Sequence, residues 1–302
     1  MSYKKLSRRN FFYGIFCSTC SALILPSCAE VPITKRKQLN FYRYNLPIII
    51  PTGGGIPQIY RNEEHLNQVI EKQYAKFIND ARSRNILIEN TDESRELKEI
   101  GYHLSNSINK YYNQLSEPSP VKNFNWEFSL IDAKDNNGNP IKNAWCMPGG
   151  KIAFYSGIMP IAKNSDGIAS IMGHEIAHAF ARHTVEKLTQ HSVVSLGTQG
   201  ILKTDYGNII AQNPNIYNRI LKFGIMLPFS RAMESEADYM GLAFMKMSGF
   251  NLNESAEVWK RMMKNSESGP SLEFMSSHPS SKNRINNINN WIQEIEKDYY
   301  TV

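Results

Sequence analysis

In the stretch GHEIAH, residues 173–178, two histidines four positions apart bracket a glutamate. A helix turns each successive side chain by about 100°, so His174 and His178 stand only about 40° apart on one face. Their imidazoles can converge on a single ion, and Glu175 lies alongside, placed to handle a proton. Such chemistry is hydrolytic: a zinc centre of this kind takes three protein ligands and keeps one position for water. The third ligand has to come from another part of the chain.

Downstream candidates are His183, His191, Glu234, Glu236, Asp238 and His278. His183 is nine residues from His174, which on a continuous helix is about 180° away, so it is expected to face away from the ion. His191 reaches the ion only if the chain turns back sharply after Leu188. The acidic cluster is better placed. SRAMESEADYMGLAFMKMSGF, residues 230–250, reads as a helix capped by Ser230 and stopped at Gly249, with Met233, Ala237, Met240 and Phe244 as its apolar stripe. Glu234 and Asp238 share a face and border that stripe, whereas Glu236 lies nearly opposite Glu234. Glu234 is therefore a candidate third ligand, with Asp238 beside it to orient a ligand histidine through its far ring nitrogen. The competing reading on pattern alone is a solvated acidic patch, favoured at a helix N-terminus by the macrodipole.

These residues need elements to position them. Residues 166–188, starting from Ser165 or Asp166 as cap, carry Ile168, Ile171, Met172, Ala179 and Phe180 at helical spacing, so the histidine motif falls on a helix. Helical spacing also covers 62–83 and 92–115. Trp126, Phe128 and Leu130 alternate as in a strand, Asn137-Gly138 marks a hairpin turn, and Lys151 to Tyr155 forms a further short strand just before the histidine helix. That strand is either an edge able to pair with an extended substrate or an ordinary core strand. Residues 28–59 are rich in Pro and Gly and read as a tether or irregular wrapping; the Gly53–Gly55 triplet lacks the Lys-Ser/Thr of a phosphate loop.

The chain has 302 residues and a formal charge of +6. Residues 1–27 hold Lys4, Lys5, Arg8 and Arg9 and no acid, leaving 30 basic against 28 acidic residues beyond them. The excess charge belongs to the N-terminus and leaves no nucleic-acid footprint. A basic start followed by the apolar stretch from Phe11 to Leu25 reads as an export signal over residues 1–27, with SRRNFF similar to a twin-arginine motif. LPSC, Leu25 to Cys28, resembles the lipoprotein box that ends in a lipidated cysteine. Ala29 follows where inner-membrane retention favours aspartate, so the outer membrane is the expected site. With Cys17 and Cys20 in the signal and Cys28 acylated, Cys146 has no disulfide partner.

HEIAH, then ESEAD, then HPSSKNRI near the C-terminus resemble the HtpX- and BepA-type zinc metallopeptidases, family forty-eight. NAWCMPGGKIAFYSG is similar to the family's strand ahead of the zinc helix, and CAEVPITKRKQLN to the mature start of its lipoprotein members. The resemblance implies an α+β, mainly helical, zincin-like domain over residues 60–302, with a small sheet next to the HExxH helix. It implies one Zn2+ held by His174, His178 and Glu234, with Glu175 catalytic. His278 and Arg284 are the candidates for stabilising the oxyanion; a loop clamp is the alternative for both, and His278 has a third, occupying the open zinc position. The function so implied is a membrane-anchored endopeptidase on the periplasmic side of a bacterial envelope, acting on unfolded or misfolded envelope proteins. A chaperone with secondary or latent proteolysis is the rival, and a binding lipoprotein with an accidental motif is a weaker one.

Overall fold

The computed structural model describes residues 28–52, 55–197, 229–268, 273–279 and 283–302; residues 1–27, read above as an export signal, fall outside them. From the N-terminus, β1 (Cys28–Glu30) and β2 (Lys37–Leu39) form one antiparallel hairpin, and β3 (Ile48–Thr52) and β4 (Gly55–Tyr60) another. Then come α1 (Glu63–Ser83), β5 (Leu87–Ile88), α2 (Asp92–Gln114), β6 (Glu127–Ile131), β7 (Ala144–Met147), β8 (Lys151–Tyr155) and a single turn, α3 (Met159–Ala162). The site is built on α4 (Ser165–Phe180), α5 (His183–Gly197), α6 (Arg231–Met247), α7 (Asn253–Ser268), α8 (Glu273–Ser277) and α9 (Arg284–Asp298). The class is the expected one: α+β, mainly helical, with a small mixed sheet beside the histidine helix. No described helix is long and apolar enough to cross a membrane.

The sheet runs β5-β6-β8-β7, parallel only between β6 and β8. The strand from Lys151 to Tyr155 is thus interior, paired on both sides, and cannot receive a substrate strand. Gly149 and Gly150, both at positive φ (79° and 86°), turn the chain back so that β7 becomes the edge on that side. Ile152, Ala153 and Phe154 of β8 are fully buried under the helices.

Residues 28–59 are not a loose tether. Val31 and Ile33 enter the main core with α2 and α4, and Ile48 and Ile50 enter a second core with Leu66, Ile70, Tyr74, Trp145 and Leu188. Ile48 and Ile50 are two apart on β3, the period of a strand, whereas Val31 and Ile33 are buried from the turn between β1 and β2. Prolines and glycines around them hid both: a strand of five residues and a turn show too little periodicity to read.

Two local readings of the histidine helix also change. Asn164, rather than Ser165 or Asp166, caps α4, its side chain accepting from Gly167 N at 2.8 Å. The helix does not continue to Leu188: Arg182 takes a left-handed conformation (φ 56°) and α5 starts in a new direction. The guanidinium holds this break, donating to Glu63 Oε1 at 2.7 Å and to the carbonyl oxygens of Pro120 and Phe180 at 3.2 and 3.3 Å.

Helix α6 runs as expected, with Ser230 accepting from Met233 N and Gly249, at φ 74°, ending it. It crosses α4 at a point where neither helix has a side chain. A Cβ on Gly241 would stand 3.0 Å from His174 N and 3.2 Å from the carbonyl carbon of Gly173; one on Gly173 would stand 3.1 Å from Gly241 O. The two backbones touch next to the first histidine of the motif. Gly241→Leu should therefore cost about 1–3 kcal/mol by overpacking despite a better helix propensity. Urea unfolding of the metal-free protein measures this, and zinc titration should show weaker binding because the crossing sets the ligand spacing.

Candidate metal centre

His174 and His178 project from α4, Glu234 and Asp238 from α6, His278 follows α8, and Arg284 opens α9. One ligand atom each from His174, His178, Glu234 and His278 lies within 4.8 Å of all the others, and all four residues are buried. Nε2 of His174 stands 3.1 Å from His178 Nε2 and 3.2 Å from His278 Nδ1. Glu234 places its two carboxylate oxygens 3.5 Å from the Nε2 atoms of His174 and His178, and Oε1 is 3.0 Å from His278 Nδ1. Nitrogen lone pairs aimed at one another this closely need a proton or a cation between them. Three imidazoles and one carboxylate are a donor set that suits zinc. The residues fit the metal that their pattern implied.

Behind the ligands lies a second layer. His174 Nδ1 is 3.0 Å from Asp238 Oδ1, so the far nitrogen carries the proton and Nε2 keeps its lone pair for the centre. Asp238 is held by Arg284, whose Nη2 and Nε stand 2.7 and 2.6 Å from its two oxygens. The same Nη2 donates to Glu234 Oε2 at 3.2 Å, and the guanidinium lies over Trp259, 3.4 Å from the ring centroid. Arg284 thus faces the carboxylates, the position of a clamp and not that of a group aimed at substrate. His278 stands among the ligand atoms with its Nε2 3.3 Å from Glu175 Oε1, and Phe274 stacks on its ring at 4.4 Å.

Burial sets the electrostatics. It raises the Glu175 carboxyl above its ordinary pKa, an effect the neighbouring histidines only partly offset, and Oε1 makes no hydrogen bond. The Cys146 backbone N–H donates to the same carboxylate, linking β7 to the site. Burial opposes charge on His174, but Asp238 and Glu234 outweigh it and push its pKa up to about 9. For Glu234 burial likewise opposes ionisation, and His278 and His174 overcome it, holding the carboxyl well below its usual range. His178 is driven down by burial.

His183 lies where the sequence did not put it, and Glu236 has surroundings the sequence did not show. His183, expected to face away, follows the break at Arg182 and turns back to the centre, its Nδ1 2.9 Å from His178 Nδ1. Glu236, read as lying opposite Glu234, is indeed on the other side of α6, yet it is fully buried there and accepts from His183 Nε2 at 3.0 Å. Arg36, from the N-terminal segment, donates to the same carboxylate. A usable signal existed for Glu236: Met240, Leu242, Ala243, Phe244, Met245 and Met247 make α6 apolar all round, the mark of a helix covered on every side. Nothing in the sequence pointed to Arg36. His191 is not part of the cluster.

Comparison with known proteins agrees with this geometry. The family model described as Peptidase family M48 matches residues 103–292. The chain is 35% identical to "Mitochondrial metalloendopeptidase OMA1" of Schizosaccharomyces pombe over 63% of its length and 53% of that protein. It is 38% identical to the protein of the same name from Saccharomyces cerevisiae, over 58% of this chain and 49% of the relative. The "Putative beta-barrel assembly-enhancing protease" of Vibrio cholerae, on the bacterial side of the resemblance, shows 27% identity over 45% of this chain and 28% of that protein. The chain thus spans about half the length of the OMA1 relatives it matches. Every residue of the buried cluster falls inside the matched span, and the chain belongs to peptidase family M48.

Proposed function

We propose that this chain is a zinc-dependent endopeptidase held latent by His278. The observation that carries the reading is the convergence of His174, His178 and Glu234 beside a buried, proton-seeking Glu175. When bound, zinc would acidify a water and polarise the scissile carbonyl. Glu175 takes the proton from the attacking water and returns it to the leaving amine, a role suited to a carboxylate whose basicity burial has raised. Asp238 keeps His174 in the tautomer that leaves Nε2 free, and Arg284 holds Asp238 and Glu234 in place.

His278 makes the latency. With zinc bound, the four donors His174, His178, Glu234 and His278 would leave no position for water in a four-coordinate site, so turnover would require the His278 ring to withdraw. Of the roles weighed for His278, occupying the open zinc position is the one that its 3.0–3.2 Å neighbours support.

Substrates in this reading are unfolded chains, laid along β7, the sheet edge whose Cys146 amide reaches Glu175. Misfolded envelope proteins are the proposed natural class. Lipidation of Cys28 would tie the domain to the periplasmic face of the outer membrane. Since β1 starts at Cys28, the anchor would join the folded domain with no spacer. The membrane contact then follows from the lipid alone.

Three outcomes test these points. Glu175→Gln should retain about one zinc per chain and lose cleavage of an unfolded model protein by about 10²–10⁴-fold; equal cleavage would end the peptidase reading, and zinc without cleavage even in the unmutated protein would point to a latent enzyme or a chaperone, which His278→Ala then separates. His278→Ala should speed cleavage severalfold, whereas a loss would return His278 to the oxyanion role. In cells, Cys28→Ser should abolish incorporation of labelled fatty acid and move the protein to the soluble fraction.

A further inference from the structure

The segment just after Cys28 reaches the metal centre. β1 and β2 are joined by the turn Val31–Arg36, where Val31 N donates to Arg36 O and Lys35 N to Val31 O, both at 2.9 Å. The turn presents Thr34 and Arg36 to α5 and α6. Arg36 lies flat against Glu186 of α5, Nη1 and Nη2 donating to its two oxygens at 3.0 and 2.7 Å. Its Nε donates to Glu236 Oε2 of α6 at 2.5 Å, and the Thr34 hydroxyl donates to Glu236 Oε1. The arginine side chain is only 13% exposed and the glutamate not at all.

From Glu236 the contacts continue inward. His183 Nε2 stands 3.0 Å from Glu236 Oε2 and His183 Nδ1 2.9 Å from His178 Nδ1, with His183 fully buried. With His183 neutral, one assignment of protons satisfies this chain. A carboxylate that already accepts from Thr34 and Arg36 can only accept, so His183 Nε2 carries a proton. His183 Nδ1 is then the acceptor, and His178 Nδ1 is the donor. His178 Nε2 is left with its lone pair directed at His174 and Glu234, as a metal ligand requires.

We propose that the N-terminal hairpin is a working part of the metal centre: Thr34 and Arg36 act as positioning residues that fix the tautomer and ring orientation of His178 through Glu236 and His183. This rests on the zinc-peptidase reading above. It gives the second ligand histidine what Asp238 and Arg284 give the first: a carboxylate fixed by an arginine, here placed one imidazole further out. Arg36 is 142 residues before His178 in the chain, so the site is complete only when the segment following Cys28 is docked.

The test uses the full chain and reads metal binding besides cleavage. Zinc affinity is measured by competition with a chromophoric chelator, and ligand geometry by the visible absorption of the cobalt-substituted protein. Glu236→Gln should weaken zinc binding about 10–100-fold, the usual cost of losing such a supporting contact, and shift the cobalt bands. Arg36→Ala should act in the same direction, Arg36→Lys should restore part of the affinity, and the double variant should bind no worse than Glu236→Gln alone, because both act along one chain. Lys37→Ala, an exposed neighbour paired with Glu30, should leave both readouts unchanged. Unaltered affinity and cobalt spectra in Glu236→Gln and Arg36→Ala would overturn the inference. Should Arg36→Ala fail to fold, since it strips two buried carboxylates of their cation, Thr34→Val with Glu236→Gln decides: wild-type affinity in both refutes the proposal, and a graded loss supports it. Failure of the unmutated protein itself to take up zinc would instead overturn the metal-centre reading and this inference with it.

Discussion

Backbone contact between α4 and α6 at Gly173 and Gly241 is the constraint on which the rest of the site depends. Ligand side chains are short: a histidine and a glutamate can meet at one ion only if their helices pass unusually close. The helices lie so close at the crossing that a Cβ on Gly241 would stand 3.0 Å from His174 N and one on Gly173 3.1 Å from Gly241 O. Glu234 and Asp238, two turns and one turn before Gly241, then fall onto the imidazoles of the motif. Larger residues there would push the helices toward the ordinary 8–10 Å separation of packed helices. The carboxylates would be left facing apolar neighbours with no cation in reach.

That closeness creates an electrostatic problem that the fold solves twice. Glu175, Glu234, Glu236 and Asp238 are all buried within a few residues of one another in space. Buried carboxylates are tolerated when paired and hydrogen-bonded. On one side Arg284 neutralises Asp238 and Glu234 behind His174. On the other, Arg36 neutralises Glu236 and Glu186 beyond His183 and His178. Both guanidiniums come from segments distant in sequence from the acids they meet, one before the first long helix and one opening the last. Folding of the chain's two ends is thereby coupled to the assembly of its middle. Glu175 alone lacks a cationic partner of this kind, and burial raises its proton affinity. The carboxylate without an arginine partner is the one whose reading calls for a base.

The proposed closure by His278 has a structural counterpart in its neighbours. Its ring is sandwiched by apolar aromatics, with Phe274 at 4.4 Å and Phe229 at 5.6 Å, and Phe229 also covers His178 at 4.0 Å. Stacking of this kind excludes water from the centre and strengthens every charge interaction inside it. It also ties the position of His278 to α8, a helix of five residues, rather than to the long helices that carry the other ligands. In the latent-enzyme reading, the residue carried by the shortest of these helices is the one that would leave for a water to enter.

The motif residues, their helices and the fold class were legible because each rests on a short-range period. His174 and His178 at i, i+4, Glu234 and Asp238 at i, i+4, the cap at Ser230 and the stop at Gly249 all follow from helix geometry alone. What depended on tertiary structure was hidden. The break at Arg182 is a single left-handed residue stabilised by Glu63 and Pro120, partners 119 and 62 residues away, and it alone turns His183 from the far face toward His178. The interior place of β8 follows from pairing with β6 and β7, which no property of KIAFY encodes. Arg36 sits in a stretch whose prolines and glycines conceal two hairpins, and its role exists only because Glu186 and Glu236 lie on two different helices that meet there. Local spacing determined which side chains share a face. Only the packing of distant segments, driven by buried apolar area and the need to pair every buried charge, decided which faces meet.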